Sequence, residues 1–325
     1  MILQVRDIET TFSTRAGGVV HAVNGVSFDV PAGRFVGIVG ESGSGKSVTI
    51  NTVLGLIRSA RTRSSGSATF AGKDLMAMRS RDLRRTRGAE IGFIAQNPFG
   101  ALNPILPIAR QFENVVRAHT RLDRKEIRRR ALKMLDKVGI QQPERVLDGY
   151  AHELSGGMAQ RVVIAIALML DPTLIVADEP TTALDMTVQK QILELISGLA
   201  RERNTSMVVV THDLGVVANF CDNVVVMYCG RVMEDGPVAE VFARPLHPYT
   251  SALLRSVPRP GRELETLPGK LPALDREPRG CLFRDRCVHR MSVCETTTPP
   301  MRQVSPTRRV ACHLDLEKEA ARAAG

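Results

Sequence analysis

One octapeptide constrains this chain more than any other stretch: Gly40 to Ser47, GESGSGKS. It satisfies the phosphate-binding pattern G-x-x-x-x-G-K-[ST], in which glycines let the backbone close on an anion, a lysine meets the phosphates and a hydroxyl meets magnesium. Gly40 and Gly45 frame the loop, Gly43 adds a third flexible position, Lys46 is the cation and Ser47 the hydroxyl. The flanks agree with the loop. Residues 34–39, RFVGIV, predict a buried strand, and Ser47 to Ile57 predicts a helix whose positive end faces the anion. Strand, loop and helix together demand an α/β core and predict a site for a nucleoside triphosphate.

A chain of 325 residues has room for one large domain and a smaller one, and a hydrophobic content of 43% supplies a core. Its longest apolar run is Val162 to Leu170, far short of the ~20 residues that cross a bilayer. The opening MILQVRDIET lacks the basic-then-apolar layout of a signal peptide, which predicts a cytosolic protein. There the six cysteines point to metal or redox chemistry rather than disulfides. The net charge of +10 is concentrated in Arg79–Arg87 and Arg121–Lys133. The second stretch carries a helical apolar stripe (Ile127, Ala131, Leu132, Leu135, Val138), so its charges read as a solvated face. With three tyrosines and no tryptophan there is little equipment for stacking bases, and no nucleic-acid partner is expected.

In chain order, residues 19–23 and 26–30 read as strands separated by a turn at Asn24-Gly25, with Phe12 ahead of them. Ser64-Ser65-Gly66 reads as a loop before a strand over 67–70. A short strand over 91–95 runs into Gln96, and Asn97-Pro98 and Asn103-Pro104 break it. Residues 108–146 are helical and charged, an insertion in the α/β core. Leu154-Ser155-Gly156-Gly157 then opens an apolar helix, and Ser155 with the two glycines makes a second candidate anion site. The buried strand over 173–177 ends in Asp178-Glu179, where Asp178 suits magnesium and Glu179 suits the base that orients water. Thr182 to Asp185 precede a helix over 188–201, and a strand over 207–210 ends at Thr211-His212-Asp213. Eight of the 18 prolines follow Val257, which predicts an appended region of loops and short elements.

Taken as one ordered set, these motifs resemble the ATP-binding subunits of ABC transporters over roughly residues 1–240. The resemblance implies a P-loop NTPase fold: a RecA-like α/β core, an antiparallel β subdomain, a helical subdomain around 97–157, and a small cysteine-containing C-terminal domain over 241–325. It implies ATP and Mg2+ as ligands. Gly40, Ser42, Gly43, Ser44, Gly45, Lys46, Ser47 and Val48 would cradle phosphate, and Phe12 would stack on adenine. Ser47, Gln96 and Asp178 would hold magnesium, while Glu179, His212 and Gln96 would be catalytic. Ser155, Gly156, Gly157, Gln160 and Asp185 would act on nucleotide across a dimer. Ala95-Gln96-Asn97 and Ala151 depart from the family's usual Phe-Gln-Asp and proline, away from the phosphate chemistry.

Arg244 to Leu254 resembles the C-terminal region of ATPases that drive peptide and nickel importers, and Cys281, Cys287, Cys294 and Cys312 are similar to the set in the oligopeptide and dipeptide branch. A loop-rich cytosolic region needs a staple, and four thiolates suit a [4Fe–4S] cluster or zinc. Gaps of five and six residues, wider than usual zinc pairs, tilt the choice to iron and sulfur, with Arg284, Arg286 and Arg290 to offset charge. The function implied is an ATPase that powers uptake of di- and oligopeptides. It would sit peripherally on the cytoplasmic face of the inner membrane, with a second, non-identical ATPase, two permease subunits and an extracytoplasmic substrate-binding protein. Nickel, glutathione or an oligosaccharide are the alternative cargoes. A soluble ABC ATPase acting on nucleic acid is the alternative from another class.

Overall fold

The computed structural model describes residues 1–314 apart from 16, 182–184, 259–266 and 268. Strands β1 (Leu3–Ser13), β2 (Val19–Val30), β4 (Thr62–Phe70) and β5 (Lys73–Asp74) form an antiparallel sheet in the order β2-β1-β4-β5. The main sheet contains β3 (Phe35–Val39), β6 (Ile91–Ile94), β7 (Leu174–Asp178), β8 (Ser206–Thr211), β9 (Asn223–Tyr228), β10 (Arg231–Pro237), β11 (Arg302–Ser305) and β12 (Arg308–Val310). Its order is β11-β12-β10-β9-β3-β8-β7-β6. The run from β6 to β9 is parallel, and β10, β12 and β11 add antiparallel strands at one edge.

Every residue of β3, β7 and β8 is buried, as parallel strands covered on both faces must be. Alternation divides their side chains between two cores. Phe35, Ile175, Ala177, Met207 and Val209 join a core shared with the helices. Val36, Ile38, Leu174, Val176, Val208 and Val210 face a core built with Leu3, Val5, Ile8 and Phe28 of the antiparallel sheet. Helices Ile108–His119, Arg124–Lys137, Pro143–Asp148 and Gly156–Ala167 supply the helical layer. On Arg124–Lys137 the stripe Ile127, Ala131 and Leu135 is buried, joined by Met134, while Arg128 pairs with Asp148 and Glu126 with Arg129 and Arg130 outside.

Two local expectations give way to strand pairing. Asn24-Gly25 does not end a strand: β2 runs through it, with Gly25 at φ +76° and the β1–β2 register shifting nearby. Asn24 donates through Nδ2 to the carbonyls of His21 and Cys229, so a turn dipeptide becomes a bulge tied to the main sheet. Ser64 to Gly66 likewise lies inside β4, where Gly66 opposes Asp7 at the β1–β4 register shift.

Described residues after 241 are fastened to the main sheet. β12 pairs with β10, setting Glu234 opposite Val310 and Asp235 opposite Arg309. Glu234 is fully buried and accepts from the backbone N–H groups of Leu246 and His247 (both 3.0 Å) and from Arg308 Nε (3.1 Å). Tyr249, Leu253, Cys281, Phe283 and Cys294 share a third core with Val39, Val224, Val226 and Tyr228.

Candidate active site

Parallel pairing brings the chemical residues to one edge. β3, β6, β7, β8 and β9 all end on the same side, delivering Gly40, Gln96, Asp178-Glu179, His212 and Tyr228, the edge where open α/β sheets place ligands. The loop after β3 is closed by contacts only glycine allows. A Cβ on Gly40 would lie 2.1 Å from the carbonyl oxygen of Met227, and Gly230 N–H donates to the Ser44 carbonyl (2.8 Å).

Lys46 opens the helix Lys46–Val53 and is 4% exposed. Its Nζ donates to the carbonyls of Gly40 (2.8 Å) and Glu41 (3.0 Å), so the ammonium is pinned across the loop. Burial pushes its pKa below the ordinary lysine range, against the pull of Glu179, Asp178 and Glu41. Ser47 Oγ donates to Asp178 Oδ1 at 2.8 Å. Burial raises the Asp178 carboxyl, the Ser47 bond and Lys46 oppose the rise, and Glu179 adds to it. A buried carboxylate touching a hydroxyl, with a second carboxylate beside it, is short of positive charge. These residues fit a divalent cation.

Glu179 adopts φ +44° and is fixed by its N–H, which donates to the Val210 carbonyl (2.9 Å). Gln96 Nε2 donates to Glu179 Oε2 at 2.9 Å, and His212 Nδ1 lies 3.4 Å from Oε1. Three predicted residues thus meet at one carboxylate. The other group assembles apart. Exposed Ser155 caps Gly156–Ala167 by accepting from Met158 N–H (3.3 Å), and Asp185 caps Met186–Glu202 by accepting from Val188 N–H (3.0 Å). Among the described residues no hydrogen bond joins Ser155 to Gln160 with the phosphate-binding loop. Gln160 is 1% exposed with Nε2 unpartnered. Phe12 is half-buried opposite Val20 and Thr62. Ser42 and Gly43 are exposed, and Val48 is half-buried. Thr182 to Leu184 lie outside the described residues.

The iron–sulfur expectation is not supported. Cys281, Cys294 and Cys312 are buried and Cys287 half-buried, and Cys281 N–H donates to the Cys294 carbonyl (2.8 Å). Burial pushes the Cys312 thiol up to about 11, with the nearby Cys281, Cys287 and Cys294 adding to the rise. The four are gathered, yet among the described residues no three His, Cys, Asp or Glu side chains are arranged to hold a metal ion.

Sequence reasoning passed over Glu41, Tyr249 and the role of Arg286. Arg286 grips the Glu41 carboxylate through two bonds of 2.6 and 3.0 Å. The available signal was an acidic residue inside a loop built for anions.

The fold and this edge define a cassette ATPase. Residues 23–182 match the ABC transporter family profile, and 233–294 match that of the oligopeptide/dipeptide transporter C-terminal region. The oligopeptide transport ATP-binding protein OppD of Salmonella typhimurium is 45% identical over 98% of this chain and 95% of its own. The dipeptide transport ATP-binding protein DppD of Bacillus subtilis is 44% identical over 96% and 94%. The dimeric ATP-binding cassette MJ0796, in a post-hydrolysis state bound to ADP and phosphate, superposes with a TM-score of 0.65 at 29% identity, covering 73% of this chain and 98% of that one. This chain belongs to the ATP-binding subunits of ABC transporters, in their oligopeptide/dipeptide group. Among the described residues, no helix is long and apolar enough to cross a membrane.

Proposed function

We propose that this ATPase powers import of di- and oligopeptides, with hydrolysis run by Glu179. The observation that carries the chemistry is Glu179 held between Gln96 and His212, beside the Lys46, Ser47 and Asp178 group. Gly40 and the residues from Ser42 to Val48 bind the triphosphate and Phe12 stacks on the adenine. Ser47 and Asp178, with Gln96, would hold magnesium, which would supply positive charge to offset that of the phosphates. Glu179 accepts a hydrogen bond from the attacking water, and His212 and Gln96 keep its two oxygens in place. The exposed end of Gly156–Ala167, with Ser155, Gly156 and Gly157, covers the nucleotide of a second, non-identical ATPase subunit, with Asp185 beside it. Two permease subunits and an extracytoplasmic binding protein complete the assembly, which places this chain at the cytoplasmic face of the inner membrane.

Peptide as cargo is supported by similarity along nearly the whole chain to relatives named for oligopeptide and dipeptide transport. Reconstitution with the permease tests it: ATP-dependent uptake of labelled di- and oligopeptides is expected, and uptake of nickel or an oligosaccharide with no peptide uptake overturns it. Residues 1–240 form the ATPase domain and 241–325 the C-terminal domain. Within the latter, Cys281, Cys287, Cys294 and Cys312 would be the residues that hold a [4Fe–4S] cluster or zinc, with no role in hydrolysis. The gathering of four thiols favours such a group and their arrangement does not. Metal and sulfide analysis after anaerobic purification decides it.

A further inference from the structure

Glu41 is a carboxylate at the second position of a loop that must receive a polyphosphate. Its backbone N–H donates to Tyr249 Oη (3.0 Å) and its carbonyl accepts from Lys46 Nζ (3.0 Å). Its side chain is turned into the C-terminal region, where Arg286 holds both oxygens. That guanidinium is itself confined: its side chain is 5% exposed, it lies 5.7 Å from the centre of the Tyr228 ring, and it donates to Tyr228 Oη (3.3 Å). Tyr228 and Tyr249 stand 4.7 Å apart, and Phe283 packs on both. The Glu41 charge reaches the phosphate site, since it is among those that act on Lys46.

We propose that Arg286, on the short turn Arg284–Arg286 of the C-terminal region, is a positioning residue of the nucleotide site. It neutralises Glu41 and keeps that carboxylate turned away from the phosphates. ATP affinity therefore depends on a residue 245 positions away in the chain. Without Arg286, one uncompensated negative charge faces the incoming phosphates across a partly desolvated loop.

The test is equilibrium ATP binding to the purified full chain, with folding followed by circular dichroism. Arg286→Gln is expected to weaken ATP binding about tenfold, the order for one added repulsive charge at a partly screened site. Glu41→Gln removes that charge, so the double variant should recover to within about threefold of the unaltered chain. Glu41→Gln alone should bind ATP as tightly as the unaltered chain or more tightly. Unchanged affinity in Arg286→Gln overturns the proposal. So does a double variant as weak as Arg286→Gln, which would mark Arg286 as structural only. If Arg286→Gln does not fold, Glu41→Gln alone decides: retained affinity upholds the charge account and weakened affinity overturns it. The proposal rests on the loop being the ATP site. Absence of ATP binding to the unaltered chain refutes that assignment and the proposal with it, whereas the variant results above refute the role of Arg286 alone.

Discussion

Alanine at Gly40 and at Gly43 should have very different costs, although both glycines sit in the same loop with positive φ, +155° and +80°. At Gly43 the nearest atom to an added Cβ is Leu271 Cδ1 at 3.5 Å, ordinary contact, so Gly43→Ala meets only backbone strain of about 1–2 kcal/mol. At Gly40 the new Cβ would lie 2.1 Å from the Met227 carbonyl oxygen and 2.8 Å from Ser44 Oγ. Met227 is a fully buried residue of a central strand, so the loop has to move instead. Strain and overpacking together should cost about 3–5 kcal/mol. In thermal unfolding without nucleotide, Gly40→Ala should lower Tm by about 4–7 °C and Gly43→Ala by about 2–3 °C. Leaving nucleotide out separates the loop's own fit from any clash with phosphate. Equal shifts, or a larger one for Gly43→Ala, would refute the reasoning from close approach.

Two further outcomes follow from the C-terminal attachment. Arg308→Leu leaves fully buried Glu234 with backbone donors alone, and should cost about 3–5 kcal/mol in a urea titration, with earlier proteolysis after residue 241. Burial holds the His247 imidazole down to about 3, and its Nδ1 accepts from Tyr249 N–H (2.9 Å). The unfolded chain takes up a proton near pH 6.5 that the folded chain refuses, so this contribution is intact above 6.5 and is lost as pH falls toward 3. The urea midpoint should drop between pH 7.5 and 5.5, and His247→Asn, whose Oδ1 replaces Nδ1 as acceptor, should flatten that drop.

Where function depends on local patterns the sequence is easily read. A strand that must be buried on both faces is a continuous apolar run, and each such run here ends in residues of the proposed site: Gly40 after β3, Asp178-Glu179 at β7, His212 after β8. Pairing partners far along the chain leave no local pattern. Residues 302–310 give no sign that they extend a sheet through Glu234 and Asp235, nor does Arg286 advertise Glu41. Asn24-Gly25 misleads for the same reason: its turn signal is local, while the Cys229 carbonyl that holds Asn24 in a bulge is distant. The cysteines show a different limit. Their spacing is visible, but ligation depends on thiolate geometry and solvation that spacing does not encode.

The central claim is that Glu179, fixed by Gln96 and His212, orients water for ATP hydrolysis. Glu179→Gln keeps the shape but loses the carboxylate. ATP hydrolysis by the assembled transporter carrying this variant is the most direct measurement. Turnover should fall by roughly 10²–10⁴-fold while ATP binding stays within about twofold. Hydrolysis at the unaltered rate would contradict the account.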